Sequence, residues 1–347
     1  MRIGREDLLR TLESVSPGLS PRDVVEQSSC VVFTDNNVFA YNGEVACRRA
    51  CNLGISGAVA AAPFITMLSK FPEESVDIVQ GQGVITIQGN KRKADIRTEA
   101  EILMPIDKIE DPGVWQPLPA GFCEAVDVVQ SCASRGDEHG FALTCVHIHP
   151  KWLEACDNLQ LARYPLAIPI EQPTLVKRDS IKHITGLGVH EVSETTNFLH
   201  FRNPTGLVIS CRRYLETFVD MENVLAVKGS PMALPGGLAD ALDRAEVFSR
   251  EQQDNNRVQL EMKPGGLRII GEGASGKYTE TKTSDYKGPP IRFLISPKIL
   301  ADIGKQHNDC TINEERLKVN GAGYTIVICL EKVAKDTPCK PTHTPAQ

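Results

Sequence analysis

The sequence predicts an α+β fold built from three tandem copies of one unit, each with two helices packed on antiparallel sheets. Three observations lead there. Segments of one kind recur at 62–72, 177–187 and 296–306, "APFITMLSKFP", "KRDSIKHITGL" and "SPKILADIGKQ", and each reads as a short helix. Each is followed by a strand and then a hairpin. The spacing is nearly constant, with 113 residues from Ile96 to Ile209 and 117 from Ile209 to Ile326. That period is about the length of one small domain.

The remaining elements repeat in phase. "REDLLRTLESV" at 5–15 is an amphipathic helix, matched by "GFCEAVDVVQSCA" at 121–133 and "GGLADALDRAEVFS" at 236–249, with 116 residues from Ala125 to Ala241. Short strands lie between the two helices of each copy. The hairpin turns "QGNKRK", "RNPTG" and "NGAG" supply the Gly, Asn and Pro that tight reversals need. Around them the strand period of two holds: Ile85 and Ile87 share one face, Thr86 and Gln88 the other, and Tyr324, Ile326 and Ile328 share a face. Pro-containing joints at 110–121 and 228–237 divide the chain into 1–115, 116–228 and 229–333. The polar, Pro-rich 334–347 reads as a disordered tail.

Composition narrows the function. With 347 residues, 41% hydrophobic and 24% charged, the chain is an ordinary soluble protein of two or three domains. A net charge of -6 argues against a surface basic all over, though not against a basic patch. Eleven cysteines without a CxxC pair, and a charged amphipathic N-terminus, predict a reducing cytoplasm and free thiols. No apolar stretch is long enough to span a bilayer.

Tandem units that continue one another's sheets curve, and a curve of equal units closes by symmetry with a second chain. Six units with two helices each, at roughly 10 Å per helix, give a ring of axes about 38 Å across and a hole of about 28 Å. Such a hole admits duplex DNA; three units alone leave too little room. The chain resembles the bacterial DNA polymerase III beta subunit, the sliding-clamp family, over about residues 1–332. The stretches that carry the resemblance are "REDLLRTLESVS", "PFITMLSKFPEESVDIVQGQGVITIQGNKRKADIRT", "ACDNLQLA", "ALDRAEVFS" and "RVQLEMKPGGLRIIGE". It implies half of a closed six-domain ring: a homodimer around duplex DNA, loaded by a clamp-loader ATPase and tethering a DNA polymerase. It implies no enzymatic activity, no cofactor and no metal.

If helices line such a hole, their inner faces are basic. The candidates are Arg5 and Arg10, Lys70, Lys177, Arg178 and Lys182, Arg244, and Lys298 and Lys305; the helix at 121–133 supplies none and carries Asp127. Arg10 and Arg22 match positions that contact DNA in the family. With no base-reading motif, binding is expected to be independent of sequence and salt-sensitive. The bland reading is a set of solvated helix faces.

The family's partner pocket accepts a short linear peptide between the second and third domains. It corresponds to Cys156, Asn158, Leu159, Gln160 and Leu161, to Val219, Asn223 and Val224, and to Ile328, Cys329 and Leu330. Aliphatic side chains suit apolar anchors, and amides suit a peptide backbone. The sequence departs from the family here: Leu159-Gln160 replace a histidine-arginine pair, Val219 a proline and Asn223 an arginine, and the terminus differs. For head-to-tail closure, basic Lys91, Arg92, Lys93 and Arg97 at one end face acidic Asp309, Glu314 and Glu315 at the other.

Two stretches carry competing readings. "GEGASGK", Gly271 to Lys277, nearly satisfies a phosphate loop and is the basis of an alternative, a nucleotide-binding enzyme. Tyr278 stands where Ser or Thr must, however, and a strand-like segment follows where a helix must begin. A hairpin turn is the competing reading. "CVHIH" sets Cys145, His147 and His149 on one strand face as a metal triad without an evident fourth ligand, or as ordinary strand residues. A further alternative is a clamp-fold scaffold that does not encircle DNA.

Overall fold

The computed structural model describes residues 1–34, 36–251 and 256–333. The tail expected at 334–347 lies outside the described residues. The chain forms two compact units, one of Met1–Asp157 with Arg163–Val219, the other of Asn158–Ala162 with the chain from Asp220 on.

The first unit opens with β1 (Arg2–Gly4) and α1 (Arg5–Val15), then β2 (Cys30–Thr34), β3 (Asn37–Tyr41), β4 (Val45–Ala50) and β5 (Gly57–Ala60). α2 (Ala61–Lys70) and β6 (Ser75–Gly81), β7 (Val84–Gln88) and β8 (Lys93–Glu99) follow. The order then begins again: β9 (Gln116–Pro117), α3 (Phe122–Gln130), β10 (Cys145–His149), β11 (Trp152–Cys156), β12 (Gln160–Pro165), β13 (Thr174–Lys177), α4 (Arg178–Ile181), β14 (Glu191–Glu194), β15 (Phe198–Arg202) and β16 (Val208–Tyr214). After a short α5 (Glu222–Leu225), the second unit runs the order a third time. It has β17 (Ser230–Ala233), α6 (Leu238–Ser249), β18 (Val258–Lys263), β19 (Gly266–Gly273), β20 (Gly276–Thr283), β21 (Ile291–Ile295), α7 (Pro297–Gln306), β22 (Asp309–Ile312), β23 (Arg316–Asn320) and β24 (Thr325–Cys329), with β25 (Glu331–Lys332) at the end. Strand, helix, four strands, helix, three strands: the expected α+β repeat is present, and its strand pairs are antiparallel.

Each long helix forms because one stripe of it is apolar. Leu8, Leu12 and Val15 bury one face of α1, and Phe122, Ala125, Val126 and Val129 one face of α3. Pro297 opens α7 at a position where its missing N–H is harmless. The helix expected across 177–187 is shorter than its sequence suggested. Only Arg178–Ile181 is α-helical, and Lys182–Leu187 winds as a tighter 3-10 helix ending at left-handed Gly188. β-branched Ile184 and Thr185 followed by Gly186 propagate an α-helix poorly.

In the first unit the two repeats share a sheet. β4 and β16 pair antiparallel, Cys47 opposite Ile209 and Ala46 opposite Ser210. Val32, Tyr41, Ala46, Ala58, Met104 and Phe198 form a buried cluster at this seam, where the rings of Tyr41 and Phe198 meet edge-on at 6.5 Å. In the second unit β17, β22, β23 and β24 pair in that order, beside a separate sheet ordered β20, β19, β18, β21, β25. Among the described residues, no helix is long and apolar enough to cross a membrane.

Candidate functional site

The ten basic residues read as one face have three different environments. Arg5 and Arg178 are mostly buried, each at the start of its helix, and each is spent on a neighbouring helix end. Arg5 donates to the carbonyl of Leu68 (3.4 Å) in the last turn of α2 and to that of Glu73 (3.0 Å) just beyond it, and also pairs with Glu6; Arg178 donates to the Gln130 carbonyl that ends α3, at 2.9 Å. A cation at a helix C-terminus complements the helix dipole. A guanidinium at the first position of each helix is the sequence signal for this role.

Lys177 has the second environment. Its Nζ lies 2.7 Å from Glu44 Oε1, and the Tyr214 hydroxyl donates to both oxygens of the same carboxylate at 2.9 and 2.8 Å. The Arg212 N–H donates to the Glu44 carbonyl at 2.8 Å. Phe141 packs edge-on against Tyr214 at 4.7 Å, and Lys177 lies over both rings. Burial, then the Glu44 carboxylate, push the Tyr214 hydroxyl up from its ordinary value. Glu44 belongs to the β3–β4 turn and the other groups to the second repeat, so the cluster clasps the seam between β4 and β16. Neither Glu44 nor Tyr214 stood out in the sequence.

The other seven basic residues reach solvent. Arg10, Lys182 and Lys305 each pair with an aspartate three residues earlier: Asp7 at 2.6 Å, Asp179 at 2.7 Å and Asp302 at 3.1 Å. Such exposed pairs contribute little and exchange readily. Arg244 on α6 bonds Tyr278 Oη and Glu280 Oε2, both at 2.7 Å. Arg22, Lys70 and Lys298 are exposed, with no acidic side chain within ion-pair distance among the described residues.

The peptide-pocket residues divide between the units, Cys156 and Val219 with the first and the others with the second. In the second unit those others converge. The Cys329 N–H donates to the Leu159 carbonyl at 2.8 Å, so the stretch 158–162 meets the end of β24. Arg316 of β23 donates to the Asn223 carbonyl at 2.7 Å, and Lys318 to that of Leu225 at 3.2 Å, which fixes α5 beside the same hairpin. Leu161, Ile328 and Leu330 are buried, while Asn158 and Asn223 are exposed and Leu159, Gln160, Val224 and Cys329 half-buried.

The two proposed ends differ. Lys91, Arg92, Lys93 and Arg97 are exposed at the β7–β8 hairpin and along β8, with Arg92 on Glu73 at 2.9 Å and Lys93 on Asp95 at 3.0 Å. β8 pairs with β7 along its length, but with β5 only at Thr98 and Glu99, so Lys93–Arg97 keeps an open edge. The acidic end expected at Asp309, Glu314 and Glu315 needs correction as an edge. β22 carries Asp309 and is hydrogen-bonded on both sides, to β17 and β23, and Glu314 and Glu315 sit in the exposed turn that follows. Among the described residues β20 pairs with β19 alone and so keeps an open edge, as β17 and β25 do at the margins of their sheets.

The competing motifs resolve as structure. "GEGASGK" is the β19–β20 hairpin, Gly273 opposite Gly276. No helix follows it to point N–H groups at a phosphate, so the nucleotide-binding alternative loses its basis. In "CVHIH", His147 Nδ1 lies 2.8 Å from Glu154 Oε1, and His149 stacks on Trp152 at 3.7 Å and accepts from the Lys151 N–H at 3.1 Å. Cys145 Sγ approaches the Phe141 carbonyl at 3.7 Å. Among the described residues no group of three or more His, Cys, Asp or Glu is placed to hold a metal ion.

No family model matches the sequence, and no curated protein matches it. Solved structures do match along nearly the whole chain. The DNA polymerase III beta chain of Streptococcus pneumoniae superposes with a TM-score of 0.83 at 17% identity, covering 96% of this chain and 99% of that one. The sliding clamp (DNA polymerase III subunit beta) of Pseudomonas aeruginosa bound to griselimycin gives 0.81 at 16%, and the DNA polymerase III beta subunit of Thermotoga maritima 0.80 at 16%, with the same coverage. At these identities the agreement defines the fold. The chain has the fold of the DNA polymerase III beta sliding clamps, as its sequence resemblance implied.

Proposed function

We propose that the chain is a DNA sliding clamp: a non-enzymatic processivity factor whose three domains, 1–115, 116–228 and 229–333, form half of a homodimeric ring around duplex DNA. The observation that carries this reading is the end-to-end agreement of its fold with sliding clamps. The pattern of strand edges supports the ring. In the first unit β16 receives β4, and in the second the last strands receive the stretch 158–162. The counterparts left over in the repeat are β8 and β20, each with an open edge. Pairing β8 of one protomer with β20 of its partner continues the same joint and covers both edges. This replaces the join through Asp309, Glu314 and Glu315.

On this reading DNA meets the exposed cations Arg10, Arg22, Lys70, Lys182, Arg244, Lys298 and Lys305, while Arg5, Lys177 and Arg178 hold the frame. A polymerase and a clamp-loading ATPase dock by short peptides at Leu159–Leu161, Asn223, Val224 and Ile328–Leu330, and the substituted Leu159, Gln160 and Asn223 select a peptide unlike the family's usual one.

Threading tests the ring without a loader. The protein is mixed with linear duplex, both DNA ends are blocked with streptavidin, and the complex is filtered at about 0.3 M salt, where phosphate contacts alone dissociate. The expected result is protein retained on blocked DNA, lost after one restriction cut, and sedimenting free of DNA at twice the 38.0 kDa chain mass. Equal retention before and after the cut, or a monomer, would overturn the reading.

A further inference from the structure

We infer that the second unit carries a nucleic-acid contact on the face of its five-stranded sheet turned away from α6. There Lys263, Arg268 and Arg292 surround a hollow that receives backbone phosphates of duplex DNA.

Strand geometry decides which side chains share that face. Gly271 and Gly273 of β19 lie against Ala245 and Phe248 of α6. Side chains alternate along a strand, so Arg268 and Gly266 point away from the helix. Arg268 stands opposite Glu261 of β18 and Thr281 of β20, and Arg292 of β21 opposite Glu261. Gly266 stands opposite Lys263 and Thr283. The face therefore carries two rows, Thr281, Arg268, Glu261, Arg292 and Thr283, Gly266, Lys263. All three cations and both threonines are exposed.

Gly266 makes the hollow. A β-carbon there would meet nothing nearer than the Lys282 carbonyl oxygen at 4.0 Å. The opening belongs to a cavity of about 350 Å³ that Lys263, Arg268, Thr281 and Arg292 also line. An anion can settle on bare backbone between the cations.

Charge points the same way. The one carboxylate in the rows, Glu261, lies 3.5 Å from Arg268 and 3.4 Å from Arg292, and Arg292 also donates to Gln259 at 2.9 Å. Lys263 has no acidic side chain within ion-pair distance among the described residues. Three cations against one anion leave the rows net positive in a chain of net charge -6. The charges farther along these strands cancel, Arg257 with Glu331 and Lys277 with Glu272, both at 2.6 Å.

The rows select their occupant. Phosphate oxygens accept from guanidinium, ammonium and hydroxyl groups, and all three are present. An acidic peptide also needs apolar anchors, but in the next row Ile270 is buried and Leu294 half-buried. A single strand needs aromatic side chains to stack on, and these rows hold none. On the clamp reading the encircled duplex lies against the helices, so this face meets DNA outside the ring.

The probe is a labelled, covalently closed DNA circle, which a closed ring cannot thread. Gel retardation is followed from about 20 to 150 mM salt. The expected result is a Kd of about 10 µM at the lowest salt, with a log–log salt slope of about -3 for three phosphates. Arg268→Gln with Arg292→Gln is expected to weaken binding about tenfold and to reduce the slope to about -1. Glu261→Gln, which removes the carboxylate, is expected to tighten binding severalfold. No retardation at about 100 µM protein, or an affinity unmoved by both variants, overturns the inference. So does a larger loss from Lys70→Gln with Lys298→Gln on the helices, or displacement of the circle by a glutamate-rich peptide more readily than by linear duplex. Failure of the ring reading shows separately, in retention on end-blocked DNA at about 0.3 M salt, where this contact is already dissociated.

Discussion

Gly271→Ala is expected to destabilise the second unit by about 3 kcal/mol or more, at the upper end of overpacking costs. A β-carbon at Gly271 would stand 1.9 Å from the carbonyl oxygen of Ala245 and 2.6 Å from its carbon, both main-chain atoms of α6. No rotamer relieves such a contact; the helix must move. That helix is held by the buried stripe Leu238, Ala241, Leu242 and Ala245, so moving it opens the packing beneath the whole sheet. Gly273 is bound by the same rule, its β-carbon position 2.1 Å from the Phe248 carbonyl oxygen. Gly236→Ala is the control: nothing lies within 4 Å of its β-carbon position, and a change within about 0.5 kcal/mol is expected. Both tryptophans, Trp115 and Trp152, belong to the first unit, so the transition is followed by far-UV circular dichroism in urea. Matching midpoints for the two variants would show that α6 does not rest on β19.

The same glycines show what the sequence made legible and what it hid. Their spacing suggested a phosphate loop or a turn. The turn is real, but it needs only Ala274 and Ser275 at its tip; Gly271 and Gly273 are small because a helix from elsewhere in the chain lies on them. Periodicity is a local property, so the apolar stripes of α1, α3 and α7 and the alternation around Ile85 and Ile326 were readable one segment at a time. Their recurrence then gave the threefold plan. The destination of a charge is not local. Lys177 and Glu44 are 133 residues apart, and only the folded β4–β16 seam brings them to 2.7 Å. Arg5 and Arg178 looked like lumen cations because a helix C-terminus, which accepts them, has no sequence mark on its partner. Open edges are equally invisible: β20 and β22 both read as ordinary strands, and only pairing shows that β22 is enclosed.

Acid is expected to weaken the seam of the first unit through His200. This histidine is fully buried on β15, opposite Ser210, which in turn pairs with Ala46 of β4. Its Nδ1 lies 2.7 Å from Ser210 Oγ and its Nε2 2.9 Å from Thr195 Oγ1, an arrangement that satisfies the neutral ring with one donor and one acceptor. Burial is the main cause that pulls its pKa down to about 4; Arg48 lowers it further, while Glu110 and Asp111 act in the opposite sense. The unfolded chain, titrating near the ordinary value of 6.5, therefore binds the proton that the folded one refuses. Stability from this group is complete above pH 6.5 and is lost as pH falls toward 4, by about 2 kcal/mol at pH 5 and about 3 kcal/mol at pH 4. Carboxylates elsewhere add their own acid dependence, so the quantity to measure is a difference. Urea unfolding of the wild type and of His200→Gln, followed by tryptophan fluorescence at pH 7.5 and pH 5, isolates it. The variant starts less stable but is expected to lose about 2 kcal/mol less over that interval. Parallel losses in the two proteins would mean that His200 takes up no proton on unfolding, and the acid sensitivity of the seam would have to lie instead with Glu110, whose carboxyl, against the opposing effect of burial, is held below its ordinary value by Thr195 and Asn197.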